Sequence, residues 1–436
     1  MSDPYLRLVS ADTDLPASSK HMPDRSRAAP RCLWLAKTLP YPMIYGDRVY
    51  SANLAKALAA AGADICFVGL DEGAAPPPTT NIKWVSVAGG QRDQFAALWS
   101  SLPLVAARHQ TSAYIRKLTE LLASPQRWDV VVVDNYAMGW VLDQVMKSCP
   151  TPPILIFVAH NFEEGLSRGL WEKSASVLYR KVFLFLNYMK IRALERRMVA
   201  SSNLTTTITA SDAALFHERS ASVRTLSLEP GYSGTAAIAR KVSASIPRRI
   251  LIFSSFVWSA KQESLRIFLD EADPAFAASN IEIEIVGKVP EAFATEITSR
   301  YKAVRLAGFV EDPTPHFRQA RLAAIAEPIG GGFKMKILDY VFNGVPVLAL
   351  GECLSGLPDA VCRHMFVCPD VPALVRRAIA LIDDVETLDH AQAQAFEAAR
   401  TLFSWSDRGE ALFGQIQELL RQNPASPFRG NLKCVS

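Results

Sequence analysis

Nearly the whole chain alternates between short, unbroken apolar runs and longer amphipathic stretches, and this alternation leaves few folds open. The segment WDVVVVD (128–134) carries four valines in a row, and PILIFVA (153–159) is apolar throughout. A strand with one wet face alternates apolar and polar residues, whereas unbroken β-branched runs mark strands buried on both faces, as in parallel sheets. RCLWLA (31–36), ADICFVGL (63–70) and NIKWVSV (81–87) come before these runs. Helical stretches fall between them, from Asp47 to about Ala61 and over about 136–148. Strands separated by helices imply right-handed crossovers and a doubly wound sheet.

A second series begins at RRILIFSS (248–255) and runs through IEIEIVG (281–287), AVRLAGF (303–309), RLAAIAEP (321–328) and VPVLAL (345–350). Between the series lies EPGYSGTAAIARKVSASIP (229–247), rich in Gly, Ser, Ala and Pro, which reads as a hinge. At 436 residues the chain is too long for one ordinary domain. The expected class is α/β, with two Rossmann-like doubly wound domains facing a cleft. Their expected spans are 31–235 and 240–405, followed by a helix over 406–423 that returns to the first domain. Residues 1–30 and 424–436 read as tails, the first as a disordered one. Open α/β sheets bind ligands beyond the carboxyl ends of their strands, so the pattern implies a ligand in the cleft without identifying it.

Composition excludes several classes. The hydrophobic share is 49% and the charged share 21%, which is globular, and a net charge of +4 is too small to argue for a nucleic-acid partner. Seven scattered cysteines form no CxxC pair, so neither a disulfide framework nor a metal site is expected, and a reducing cytoplasmic setting fits. The N-terminus lacks a signal-peptide stretch, and no apolar run reaches the ~18–20 residues that cross a bilayer.

The strongest local motif is EPIGGGFKMKILDYVFNGVPVLA (327–349). A strand ends at Glu327-Pro328, three glycines follow, and a helix is expected to begin near Phe333, with Met335, Leu338 and Phe342 on its buried face. Glycines allow close backbone approach, and free N–H groups at a helix start favour an anion. Lys334 and Lys336 would then sit where cations oppose the helix dipole. A bound phosphate would compensate. Without one, the motif is a glycine-rich turn with two solvated lysines.

This segment resembles the loop-helix of glycosyltransferase family 4, GxGxKxKILEAxAxGxPVV, in a glycine-rich variant of it. The resemblance implies the GT-B fold and retaining transfer of a sugar from a nucleotide-diphosphate sugar, which is a substrate and not a resident cofactor. Gly331, Gly332, Phe333, Lys334 and Lys336 would meet donor phosphates and sugar, and Asp339 would hold the donor ribose in place of the family's glutamate. Gly331 stands where many members carry a second glutamate. Three further segments match in order. LPYPMIYGDRVYSANLAKALAAAGADICFVG (39–69) brings Gly46 to the diphosphate, FVAHNFEEGLSRGL (157–170) supplies His160 and Glu163 as catalytic candidates, and SSFVWSAKQESLRIFL (254–269) supplies Lys261. The expected acceptor is a polysaccharide or a glycolipid. A catalytically inactive scaffold or binding subunit and a sugar-nucleotide epimerase are the alternatives.

Other signals carry less. Asp12-Thr13-Asp14 imitates a metal-binding Asp-x-Asp but precedes the first strand, and Gly165-Leu166-Ser167-Arg168-Gly169 spells a hydrolase elbow without the strand that should lead into the serine. VLYRKVFLFLNYMKIRALERRMV (177–199) sets Arg180, Lys181, Lys190, Arg192, Arg196 and Arg197 against Glu195 alone, with four aromatics. Such a helix suits peripheral contact with an anionic inner-membrane face; the plainer reading is a domain helix with a solvated basic side.

Overall fold

The computed structural model describes residues 29–422, apart from 44, 126, 149–151, 174–177, 235–239 and 329–331. The first sheet has seven strands: β1 (Arg31–Thr38), β2 (Asp64–Leu70), β3 (Ile82–Val87), β4 (Val130–Asp134), β5 (Ile154–Ala159), β6 (Leu204–Thr207) and β7 (Thr225–Ser227). All pair in parallel, in the order β3-β2-β1-β4-β5-β6-β7. The second has six: β8 (Arg249–Phe253), β9 (Glu282–Val286), β10 (Val304–Gly308), β11 (Leu322–Ile325), β12 (Val347–Leu350) and β13 (Phe366–Cys368). These too are parallel, in the order β10-β9-β8-β11-β12-β13.

The valine run of β4 shows why these strands lack alternation. Val131 and Val133 join one core cluster with Leu33, Leu35 and Phe157. Val130 and Val132 join another, on the opposite face, with Trp34, Ile156 and Val158. Successive residues point to opposite faces and both faces are covered by helices, so every position must be apolar. A third cluster, built around Ile250, Ile283, Ala323 and Leu348, fills the second domain.

The strand order reverses direction at one place in each sheet, between β1 and β4 and between β8 and β11. At a reversal the two crossovers leave on opposite faces, and a crevice opens beyond the carboxyl ends. Both expected site segments of the second domain, the one after β8 and the one after β11, begin at its crevice.

The last helix, Trp405–Gln422, packs against the helix Gly46–Ala60 and places Leu412, Ile416 and Leu420 in the first domain's core. The approach is close: a Cβ on Gly409 would lie 2.3 Å from the Ala57 carbonyl oxygen. The stretch expected as a helix over about 136–148 is a 3-10 turn, Tyr136–Val141, running into a helix, Leu142–Ser148. Asn135, with φ of 79°, turns the chain sharply after β4 and accepts from the Ala137 N–H, which starts the tighter winding. The middle of the glycine- and serine-rich hinge, residues 235–239, lies outside the described residues.

Leu412 is fully buried in this returning helix. Leu412→Ala should therefore lower unfolding free energy by about 2–5 kcal/mol, read by urea denaturation. A loss under about 0.5 kcal/mol, the range of surface changes, would mean the helix is not part of the first domain's core.

Candidate functional site

In the second domain, one buried carboxylate gathers three lysines. Glu327 follows β11 and receives Lys334 Nζ at 3.1 Å on Oε2 and Lys336 Nζ on Oε1. Lys261, three residues into the helix Ser259–Ala278 that follows β8, donates to Ser254 Oγ at 3.2 Å. Burial alone would raise the Glu327 carboxyl, yet Lys336, Lys334 and Lys261 hold it down at about 2. Burial brings the Lys261 ammonium down to about 8, with Lys336 and Lys334 pushing the same way and Glu327 opposing them. Among the described residues Glu327 is the carboxylate that all three ammonium groups face at the β8/β11 crevice, so the local charge favours an anion.

The glycine-rich loop differs from its expected form. The helix begins at Lys336 and ends at Phe342, with Met335 as its cap residue, so Lys334 lies in the loop before it. Gly332, at φ of 75°, still turns the chain there, which delays the first helical turn. Lys336 thus stands in the first turn as expected and Lys334 does not, and neither is solvated: both reach back to Glu327. Leu338 and Phe342 are buried as expected, but Met335 is only partly so and points its sulfur toward Gly46, whose Cβ position lies 3.8 Å away. Phe333 meets Phe403 at 6.3 Å and packs against core clusters of both domains, so its side chain serves packing between them. Gly331 lies outside the described residues.

Asp339 stands in the first turn of this short helix, partly buried. No hydrogen bond or ion pair engages its carboxylate among the described residues, and burial pushes it up to about 7. It is near enough to Tyr232 to raise that phenol after burial has done so, and Tyr232 stacks on Phe342 at 4.2 Å. An unpartnered carboxyl between a helix and an aromatic wall is equipped to accept hydroxyl groups.

In the first domain, His160 directly follows β5 and is buried. Its Nε2 lies 2.6 Å from Asp134 Oδ1, and Asp134 Oδ2 accepts from Trp34 Nε1 at 2.8 Å. A buried carboxylate fixed on both oxygens orients the ring and makes Nε2 the donor. Nδ1 is left without a partner among the described residues. Tyr50 packs edge-on at 5.4 Å and is anchored by its hydroxyl donating to the Leu228 carbonyl at 2.8 Å. Lys37, at the end of β1, pairs with Asp47 at 3.1 Å. Burial would raise Asp47, but Lys37 and His160 outweigh it and lower the carboxyl.

Glu163 opens the helix Glu163–Lys173, accepts from Asn161 Nδ2 at 3.2 Å, and is raised by burial. The backbone N–H groups of Glu163 and Glu164 both donate to the buried Glu195 carboxylate, at 2.9 and 2.8 Å. Glu164 itself turns away and takes a bidentate bond from Arg196, at 2.9 and 3.1 Å.

Two of these loops meet across the cleft. A Cβ on Gly332 would lie 2.6 Å from Asn161 Oδ1, so the second domain's glycine loop is seated beside the residue that follows His160. The structure thus brings Lys261, Lys334 and Lys336 together on one side, His160 and Glu163 on the other, and Gly46 and Gly332 at the seam. Asp134, Lys37 and Asp47 escaped the sequence reading. Only Asp134, ending an apolar run at a carboxyl edge, carried a visible signal.

The fold and this two-sided crevice define a GT-B architecture. Solved structures similar in fold include sucrose-phosphate synthase from Thermosynechococcus elongatus, with a TM-score of 0.65 at 16% identity over 90% of this chain and 100% of that one. WaaG, a glycosyltransferase involved in lipopolysaccharide biosynthesis, gives 0.62 at 16% over 88% and 99%. Anabaena HepE, solved with UDP and glucose, gives 0.60 at 15% over 89% and 99%. Residues 247–384 match the family model described as glycosyl transferases group 1. No curated protein matches by sequence. The family match and the fold support sugar transfer.

Asp339 yields a pH prediction. Its carboxyl titrates ordinarily at 3.8 and at about 7 in the fold. Between these values the folded chain holds a proton that the unfolded chain has released, so this group makes stability fall as pH rises from about 4 to about 7. Asp339→Asn abolishes that titration. Its melting temperature relative to the parent should be higher at pH 8 than at pH 4, and an equal difference at both would contradict the raised carboxyl.

Proposed function

We propose that this chain is a retaining glycosyltransferase that moves a sugar from a nucleotide-diphosphate sugar to a polysaccharide or glycolipid. The observation that carries the reading is the buried Glu327 carboxylate shared by Lys334 and Lys336 beside Lys261, at the switch point of the second sheet. A diphosphate supplies the negative charge that this cluster lacks. Hydrogen bonds between charged partners in a dry crevice are short and strong. Asp339, open to hydroxyl donors, takes the ribose, and Gly46 and Gly332, which carry no Cβ, let the backbone come close to the phosphates.

Sugar departure leaves positive charge on the reacting carbon and negative charge on the diphosphate. The lysines stabilise the second charge from fixed positions. His160, held by Asp134, stabilises the first through contact with the donor sugar. The leaving phosphate takes the acceptor's proton on the same face, so no side-chain nucleophile is needed and positioning supplies much of the acceleration. Glu163, with its raised carboxyl, borders the acceptor side.

Lys334→Ala, Lys336→Ala or Lys261→Ala should each weaken nucleoside-diphosphate binding by about 1.5–3 kcal/mol, measured by calorimetry. Lys334 is expected to matter more than Lys336, because it stands nearer the glycines. Asp339→Asn should weaken nucleoside diphosphate and intact donor by similar factors, whereas Asp339→Glu should be tolerated. Product analysis over a panel of nucleotide sugars tests the reaction itself. Transfer with retained anomeric configuration is expected. Epimerised donor, or no turnover of any donor, would overturn the reading in favour of an epimerase or a scaffold.

A further inference from the structure

The basic helix singled out in the sequence, Leu178–Ser201, does not present its basic residues as one face. Arg192 and Arg196 approach the buried Glu164, Arg197 pairs with Asp143, and Lys190 donates to the Ser100 carbonyl at 2.6 Å. Only the N-terminal half stands clear of the domain, since the residues buried by this helix begin at Tyr188. In that half Leu178, Val182 and Leu186 recur every fourth residue and are exposed, and Tyr179 beside them is 79% exposed. Side chains four apart share one helix face, so this is an apolar stripe turned to solvent.

A second apolar element lies next to it. The Asn187 side-chain oxygen accepts from the Leu104 N–H at 2.9 Å, and Lys190 holds the Ser100 carbonyl, which fixes the segment 100–104 against the helix. Immediately before that segment Trp99 is 93% exposed and Phe95, four residues earlier at the short helix Gln94–Leu98, is 76% exposed. Exposed apolar side chains scattered singly are ordinary, whereas a group of them side by side marks an interaction site. The exposed cations beside this group are Arg92 and Lys181, against Asp93, whose carboxylate is occupied capping Phe95 and Ala96. Arg180, two residues from both Leu178 and Val182, lies on the far side of the helix. Arg168 and Glu172 neutralise each other. Among the described residues no helix is long and apolar enough to cross a membrane.

We infer that Trp99, Phe95 and the stripe Leu178–Val182–Leu186 form a docking surface for an anionic lipid bilayer, with Arg92 and Lys181 meeting the headgroups. The chemistry is that of an interfacial anchor: aromatic and aliphatic side chains enter the headgroup boundary, and flanking cations select negative lipid. The surface lies one helix length from the site, because the eleven-residue helix that begins at Glu163 ends beside it, a span of about 15 Å. Trp171 near the end of that helix stacks on Tyr188 at 5.9 Å, which joins the two helices there. The docking surface itself stands apart from the proposed reaction; only its consequence, a lipid-linked acceptor presented to the His160 side, rests on that reading.

The test is co-sedimentation of the full chain with phosphatidylcholine vesicles, with and without one-third phosphatidylglycerol. Two paired variants, Trp99→Ser with Leu186→Ser and Arg92→Glu with Lys181→Glu, change exposed side chains only, and a thermal melt checks that each folds as the parent does. The parent should pellet with the anionic vesicles and much less with the neutral ones. Each pair should weaken that binding by about tenfold or more. A parent that stays in the supernatant with anionic vesicles, or pairs that pellet as it does, overturns the inference. So does a parent that self-associates in solution and becomes monomeric with Trp99→Ser and Leu186→Ser, which would give the surface to a second copy. Nucleoside-diphosphate affinity, measured on the same proteins, should be unchanged. Vesicle binding without nucleotide binding would leave the docking surface standing and remove the transferase reading.

Discussion

The second half of the cleft depends on one buried carboxylate. Glu327 sits where β11 ends, and without it Lys334, Lys336 and Lys261 would be three like charges in a place that has lost most of its water. The three lysines hold Glu327 near 2 against its burial, while burial first, and the neighbouring ammonium groups after it, bring Lys261 down to about 8. Desolvation strengthens each attraction and each repulsion alike. An anion entering the crevice relieves the repulsion without requiring the lysines to move, which is the condition for a preorganised electrostatic site.

The first domain contributes rigidity of another kind. Asp134 is fixed by Trp34 and in turn fixes His160, and Tyr50 closes the imidazole from the side while also packing on Trp405. Trp405 begins the helix that returns from the second domain. The chain end therefore supports the same aromatic wall that positions His160. Arg408, one turn further on, binds the Glu229 and Leu402 carbonyls, where the chain passes between the domains. A change at this crossing is felt by both halves of the cleft.

Much of the fold was legible because both-sided burial leaves a plain mark. Runs such as VVVVD and ILIFVA cannot be one-sided strands, and their alternation with helices sets the parallel order. The carboxyl-edge positions of His160, Asp134 and Glu327 follow from where those runs stop. Pairing was not legible. Nothing in EPIGGGFKMK says that both lysines turn back to Glu327, since the turn depends on a loop conformation and on burial that only the tertiary structure supplies. In the basic stretch 177–199 the sequence shows the charges but not their partners: Glu164 and Asp143, which take three of them, come from other elements. Phe95 and Trp99 left no mark either, because two aromatics in a short polar stretch read as ordinary until their exposure is seen.

The central claim is that the three-lysine crevice holds a nucleotide's diphosphate, and a crystal structure of the full chain soaked with a nucleoside diphosphate tests it most directly. The account predicts phosphate oxygens within hydrogen-bond distance of Lys261 Nζ and Lys334 Nζ, with the ribose hydroxyls on Asp339. A nucleotide bound elsewhere, with the lysines still paired only to Glu327, would contradict it.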